Sequence, residues 1–112
     1  MIISHFKSLS TYSTKETKVG TWIDGKPIYR KVVDCGALPN KDAKDVSHGI
    51  VNIDTVTNIY GIAIGDNICI PLPFADAASD GSVSAYRRGE LIRITTATDR
   101  TSFTESYIII EY

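Results

Sequence analysis

The chain has 112 residues, and 12 Lys and Arg residues against 13 Asp and Glu residues give a formal net charge of -1 at pH 7. This length suits a single domain, because two cores of half the size would each need disulfides or metals to fold. A charge so close to zero supplies neither the basic surface that binds nucleic acid nor an acidic tail. The longest apolar runs, such as residues 107–110, are too short to span a bilayer. Composition therefore indicates a soluble globular domain that binds no nucleic acid and does not insert into a membrane.

Residues 1–11 precede the first turn signal and are predicted to form a short N-terminal arm, followed by a single domain over residues 12–112. The arm carries large apolar side chains that are unsuited to a free tail in water. We expect it to dock on a neighbouring subunit or on another protein. It lacks the charged region and the long apolar region of a signal peptide, so synthesis in a cytoplasm is expected. The side chains predicted to dock are Ile2, Ile3, Phe6 and Leu9.

The strongest local signal lies in residues 21–34, where Asp24-Gly25 separates two runs of residues that favour strands. This dipeptide tolerates the positive φ angles of a tight turn, so it predicts a β-hairpin. Arg30 and Lys31 follow each other in the second run and must face opposite sides of a strand. At least one face of that strand is therefore expected to be partly solvated or paired with carboxylates.

The rest of the chain also favours strands, and no window repeats apolar residues at helical spacing without an interruption. The further predicted elements, in chain order, are a polar connector at 41–47, a strand pair within 50–64, a strand at 67–72, an exposed loop at 75–81, a hairpin of strands 82–86 and 91–96, and a last strand at 103–112 with cover on both faces. Seven or eight strands of about 5 residues each are typical of a small barrel or a two-layer sandwich. We expect an all-β protein with an antiparallel, jelly-roll-like β-sandwich.

Residues that could perform catalysis are scarce. The chain has two histidines, His5 and His48, and no motif around Cys35 supports a nucleophile paired with His48, so His48 is expected to be packed or hydrogen-bonded. Cys35 and Cys69 are predicted to be buried, reduced thiols. The acidic residues of the 75–81 loop lack the spacing of a calcium loop. We predict neither a metal nor a cofactor.

Nine of the ten aromatic residues lie in the predicted domain, which is more than a core of this volume must absorb. Some of them could form a platform for a sugar or an interface between subunits. The candidates for ligand contact are Trp22, Tyr29 and Tyr86. For Trp22 the simpler interpretation is that its ring caps the hairpin against the sheet.

Residues 22–33 read Trp-Ile-Asp-Gly-Lys-Pro-Ile-Tyr-Arg-Lys-Val-Val and follow Tyr12-Ser13-Thr14 and Glu16. The pattern continues in further segments at 38–40, 46–50, 71–73, 99–102 and 107–112. Together, and in this order, these segments resemble a module that is widespread in tail-fibre and other virion appendage proteins of tailed bacteriophages, especially gut phages. The resemblance covers roughly residues 12–112. It implies a β-sandwich used as a structural or adhesive tip, commonly in homo-oligomers, with no catalytic residues.

Two departures from that pattern concern attachment. In longer relatives the module follows a fibre stalk, whereas here residues 1–11 precede it, so the chain is expected to assemble through its own arm or to be a small virion component. The usual ending runs a few residues past the final tyrosine, and this sequence stops at Tyr112.

The sequence therefore predicts a non-enzymatic virion protein, made in the host cytoplasm, that serves assembly and attachment to the host surface. The expected partners are further copies of the chain, with a trimer favoured, other virion proteins and a host-surface glycan. The alternative is a free-standing carbohydrate-binding module. A small enzyme is the least favoured hypothesis, because the sequence offers no catalytic constellation.

Overall fold

A computed structural model describes residues 11–77 and 80–112 of the chain. Within these ranges the protein consists of eight β-strands and contains no helix. The strands are β1 (Thr17–Thr21), β2 (Pro27–Asp34), β3 (Ala43–Ser47), β4 (Asn58–Gly65), β5 (Ile68–Leu72), β6 (Val83–Arg88), β7 (Leu91–Thr96) and β8 (Phe103–Glu111).

The strands form two sheets, one of five strands in the order β1-β2-β8-β4-β5 and one of three strands in the order β3-β7-β6. Every pair of neighbouring strands is antiparallel. The two sheets pack together as a sandwich, which confirms the predicted fold class. The last strand in the sequence, β8, occupies the centre of the larger sheet, where Ile108 lies between Val33 of β2 and Gly61 of β4.

The core lies between the sheets and follows from the alternation of side chains along each strand. Ile92 and Ile94 of β7, together with Ile108 and Ile110 of β8, are at most 1% exposed. Burial of an aliphatic side chain of this size contributes about 1.5 to 3 kcal/mol, so these isoleucines account for much of the stability. The buried Ser106 hydroxyl is paired within the core, where it donates a hydrogen bond of 2.7 Å to the Gly36 carbonyl.

Gly61 permits a close approach between β4 and β8. A Cβ atom at this position would collide with the Tyr107 carbonyl oxygen and would lie 2.6 Å from the Cδ1 atom of Ile108. The absence of a side chain at residue 61 is therefore what lets Ile108 fill the core directly opposite.

The predicted hairpin between β1 and β2 is confirmed. The Gly25 N–H donates to the Trp22 carbonyl at 2.9 Å, and the Trp22 N–H donates to the Lys26 carbonyl at 2.8 Å. Gly25 has a φ of 86°, whereas Asp24 is not among the residues with positive φ. Asp24 acts instead through its side chain, whose Oδ1 accepts a hydrogen bond from the Lys26 N–H at 3.0 Å.

The expectation for the two faces of β2 is also confirmed. Arg30 is buried, and its Nη1 atom lies 3.7 Å from Oε2 of Glu111, the residue opposite it on β8. A carboxylate therefore faces the buried cation, while Lys31 lies on the other side of the strand.

Two further predicted elements agree with the structure. β6 and β7 form a hairpin, and the last strand is long, with residues 108–110 all buried.

Two predicted elements were wrong. The polar connector at 41–47 contains β3, which pairs with β7 along its whole length and places Val46 against the core. The strand pair expected within 50–64 contains one strand only, because β4 begins at Asn58. Before it the chain turns through positive φ angles at Gly49 (65°) and Asn52 (57°), which interrupt an extended conformation.

The predicted arm cannot be compared with the structure over most of its length. Residues 1–10, including Ile2, Ile3, Phe6 and Leu9, lie outside the described residues. Description of the chain begins at Thr11, just before Tyr12 and the stretch that leads into β1.

Candidate functional site

A groove runs along one end of the sandwich, between the β1–β2 hairpin and the loop of residues 48–57. It consists of three adjoining cavities, and Tyr112 lines all three of them, so we name it the Tyr112 groove. The middle cavity has a volume of about 270 Å³. This is close to the lower end of the range for sites that bind small molecules.

Aromatic side chains from the hairpin and from the C-terminal end of the chain line the groove. Trp22, at the start of the hairpin turn, is 38% exposed and lines one end. Tyr29 and Tyr112 continue the ladder between β2 and β8 through backbone hydrogen bonds of 2.7 and 2.8 Å, and their ring centroids lie 6.1 Å apart. The regular pairing of two strands therefore fixes the positions of two of the three rings.

The opposite wall is the 48–57 loop, which His48 anchors to the β6–β7 hairpin. Nδ1 of the buried imidazole accepts a hydrogen bond from the Ile50 N–H at 3.0 Å, so Nε2 carries the proton and donates it to the Gly89 carbonyl at 2.9 Å. The His48 N–H also donates to the Glu90 carbonyl. His48 thus has the packed, hydrogen-bonded role expected from the sequence, and it holds the wall in place.

An ion pair connects the two walls, and a hydrogen bond ties Tyr112 to the stretch before β1. Lys26 Nζ of the hairpin lies 3.4 Å from Asp54 Oδ2 of the loop, with both side chains mostly exposed. The Tyr112 hydroxyl donates a hydrogen bond to Oε1 of Glu16. Partial burial, followed by this contact with Glu16, raises the pKa of Tyr112 above its usual value, so the phenol keeps its proton and this hydrogen bond at neutral pH.

The chemistry of the groove combines flat aromatic rings with oxygen-bearing side chains. Aromatic faces pack against the C–H surfaces of a ligand, while carboxylates accept hydrogen bonds from its hydroxyl groups. Asp24 and Asp54 supply carboxylates beside Trp22, and Thr55 supplies a hydroxyl. The arrangement suits a polyhydroxylated ligand.

The structure places the three aromatic candidates in two different regions. Trp22 and Tyr29 both line the Tyr112 groove. Tyr86 lies instead on β6, opposite Arg93 on the solvent-facing side of the three-stranded sheet. Arg93 there makes two hydrogen bonds, of 2.7 and 2.9 Å, to the Asp45 carboxylate, and this contact lowers the pKa of Asp45.

Sequence reasoning missed Tyr112, Asp54 and Glu16. Tyr112 could have been found, because it continues the inward alternation of Ile108 and Ile110 at the end of β8. Asp54 carries no local signal, since its position depends on the irregular path of the 48–57 loop.

Cys35 is not placed to act as a thiolate nucleophile. It is 2% exposed, and its Sγ donates to the Val33 carbonyl at 3.6 Å. Burial raises the pKa of Cys35 to about 11, although Lys44 opposes the shift, so the thiol is protonated at neutral pH.

The prediction that both cysteines are buried was wrong for Cys69, which is exposed. On β5 the neighbouring Ile70 and Leu72 alternate into the core, so Cys69 faces outwards. Both cysteines are free in the structure, as expected from the sequence.

The described ranges contain no group of three or more His, Cys, Asp or Glu residues that could hold a metal ion. No helix in the same part of the chain is long and apolar enough to cross a membrane. Comparison with family models, curated proteins and solved structures gives no match to this chain.

Proposed function

We propose that the protein is a non-enzymatic structural module of a bacteriophage virion appendage, and that its Tyr112 groove binds carbohydrate at the host surface. The observation that carries the binding proposal is the groove itself, with its three aromatic rings beside exposed carboxylates. The resemblance of residues 12–112 to phage fibre modules supports the virion part of the proposal.

The exposure of Trp22 is the first argument for a ligand. Trp22 packs more than half of its surface against the protein, and the 38% that remains exposed lies at one end of the groove, where a ligand can reach it. Sugar rings present C–H groups that pack on such a surface, and burial of the remaining indole area would favour binding.

The ion pair across the groove is the second argument. Lys26 and Asp54 have side-chain exposures of 68% and 77%, so their attraction is weakened by water and contributes at most about 1 kcal/mol. Hydroxyl groups of a ligand can therefore replace this contact at small cost. Each charged end then gains a hydrogen-bond partner, which favours a ligand rich in hydroxyls.

Glycan-array screening followed by calorimetry tests the binding proposal. Trp22→Ala should weaken binding of the selected glycan at least ~10-fold, since it removes an aromatic contact surface from the groove. Tyr86→Ala is the matched control, because Tyr86 is similarly exposed (44%) but lies on the other sheet. Equal losses in the two variants, or no glycan binding by the wild type, would contradict the proposal.

The virion part is tested separately, with purified phage particles from the host in which the gene is expressed. A structural component copurifies with the particles in stoichiometric amounts and localises to the virion, with other virion proteins as its partners. If the protein binds glycan but is absent from the particles, the result would favour the alternative, a free-standing carbohydrate-binding module.

We further propose that the protein is a homo-oligomer, with a trimer as the expected form. Light scattering on the full chain measures the oligomeric state directly.

A further inference from the structure

The outer face of the five-stranded sheet, the side turned away from the three-stranded sheet, carries apolar side chains at its centre, next to a row that contains Asn58, Arg30 and Glu111. Because Ile108 and Ile110 face the core, the alternation of β8 turns Ile109 outwards, opposite Val32 of β2 and Tyr60 of β4. Ile109 is nevertheless only 7% exposed, and its two neighbours are half-buried. The centre of this face is therefore shielded from water, and Tyr12, which reaches from Arg30 to Tyr60, is one of the residues that shield it.

A buried cation lies on the same face. Arg30 is 6% exposed, and its Nη1 atom is 3.7 Å from the Glu111 carboxylate. Its Nε and Nη2 atoms are buried and have no hydrogen-bond partner in the described part of the chain. Buried guanidinium N–H groups are unfavourable unless an acceptor reaches them, so this face calls for oxygen atoms that the sheet does not supply.

The described chain begins at the edge of this sheet, beside β2, and the Tyr12 side chain extends over the face. The Ser13 carbonyl accepts a hydrogen bond of 2.9 Å from the Val32 N–H. The ring of Tyr12 covers the Arg30 guanidinium at 3.8 Å, and its hydroxyl lies 3.3 Å from that of Tyr60, across β8. The residues that precede Tyr12 therefore start at the apolar surface.

We propose that the outer face of the five-stranded sheet is the docking surface for the first ten residues of the same chain. These residues contain the apolar side chains that such a surface accommodates, namely Ile2, Ile3, Phe6 and Leu9. Docking would bring backbone carbonyls, which are hydrogen-bond acceptors, towards Nε and Nη2 of Arg30. The proposal is independent of the glycan groove, which lies at the end of the sandwich.

The length of the segment permits this docking. Ten residues span up to roughly 33 Å when extended, whereas five adjacent strands are about 19 Å across. The sequence alone favours a neighbouring subunit or another protein as the partner of these residues. The position of Tyr12 favours the chain's own sheet, because attachment in the same chain gives the segment a high effective concentration there.

Nuclear Overhauser contacts between methyl groups test the proposal on the full-length protein. The expected result is a set of contacts from Ile2, Ile3 or Leu9 to Val32 or Ile109. A mixed sample of two differently labelled preparations separates contacts within a chain from contacts between chains. Absence of contacts to the outer face, or contacts found only between chains, would overturn the proposal.

A variant provides a second, independent readout through hydrogen exchange at Arg30 Nε. Phe6→Asp should release the segment and speed this exchange at least ~10-fold, because water then reaches the guanidinium. Ile23→Asp is the control, since Ile23 is 91% exposed at the hairpin tip, away from this face. Unchanged exchange in Phe6→Asp, or an equal increase in both variants, would contradict the proposal.

Discussion

The core between the two sheets and the Tyr112 groove are built on the same strands but differ in how their side chains are held. In the core, Ile92, Ile94 and Ile110 have no exposed surface. In the groove, the Lys26–Asp54 ion pair is open to water, and Trp22 keeps more than a third of its surface exposed. The residues that stabilise this fold are therefore a different set from those that the proposed binding site exposes to water.

The physical reason is that stability requires apolar side chains to be removed from water, whereas binding requires side chains that remain in contact with it. Removal of apolar surface from water stabilises the core and leaves no group free to meet a ligand. Groove residues remain solvated, so they contribute little to folding but retain surface that a ligand can bury. Substitutions in the two regions should therefore have effects of different size on the free energy of unfolding.

The largest effect is expected for Gly61→Ala in the core. The added methyl group would collide with the Tyr107 carbonyl and with the Ile108 side chain, so β4 and β8 must move apart. We expect the free energy of unfolding to fall by about 3 kcal/mol, as for a strongly overpacked core. Gly20→Ala is the control in urea denaturation, because nothing lies within 4 Å of a Cβ atom there. Equal effects at the two glycines would contradict the close approach at Gly61.

A pH-dependent effect is expected from Cys35, also in the core. Its pKa is about 11 in the folded protein, against 9.0 for the unperturbed thiol, because burial disfavours the thiolate. Below pH 9 both states keep the proton, whereas between pH 9 and pH 11 the unfolded state releases it first. The thiol's contribution to stability is therefore lost as pH rises through this window, by about 1 to 2 kcal/mol after allowance for partial solvation.

The comparison of wild type with Cys35→Ala in chemical denaturation at pH 8 and pH 11 measures this contribution. The substitution removes one ionisable group and leaves the tyrosines in place, so the difference between the two proteins isolates the thiol. A difference that stays constant over the pH range would show that Cys35 does not titrate as described.

A smaller effect is expected for Gly25→Val in the hairpin that borders the groove. Gly25 has a φ of 86°, which a β-branched residue adopts only with strain, and no atom lies within 4 Å of a Cβ atom added there. We expect a loss of about 1 kcal/mol or more in the free energy of unfolding. An unchanged unfolding midpoint would count against the turn conformation. If Gly25→Val lowered the free energy of unfolding more than Gly61→Ala does, the contrast between the core and the groove would not hold.

The smallest effect is expected for Lys26→Ala, which removes the exposed ion pair with Asp54. The free energy of unfolding should change by less than about 1 kcal/mol, because water screens both partners. Thermal unfolding at low and high salt checks this. A large, salt-dependent destabilisation would mean that the groove walls contribute to stability in the same way as the core.

Much of the fold could be predicted because its signals are local. Asp24-Gly25 identified the first hairpin, and the alternation around Ile92 and Ile94 identified β7. β3 was missed because four of its five residues, 43–45 and 47, are small or polar, so its composition resembles a loop. Its strand structure comes from pairing with β7, a partner more than forty residues away, which no local pattern shows.

The candidate site was predictable only in part for the same reason. Trp22 and Tyr29 stood out as aromatic residues on a hairpin, whereas Tyr86 was equally conspicuous and lies on the other sheet. Asp54 reaches the groove because the buried hydrogen bonds of His48 fix the path of the loop. Such a position depends on contacts between distant segments, so residue type alone could not identify it.

The central position of β8 has a consequence for the order in which the protein can fold during synthesis. The β1–β2 hairpin and the β4–β5 hairpin are each local, but they meet only through β8, which pairs with both. Until residues 103–111 leave the ribosome, each hairpin exposes an unpaired edge and an uncovered apolar face. Such edges pair readily with other chains. Completion of the larger sheet must therefore wait for the last strand, and nascent chains that stall before it are the form of this protein most prone to aggregate.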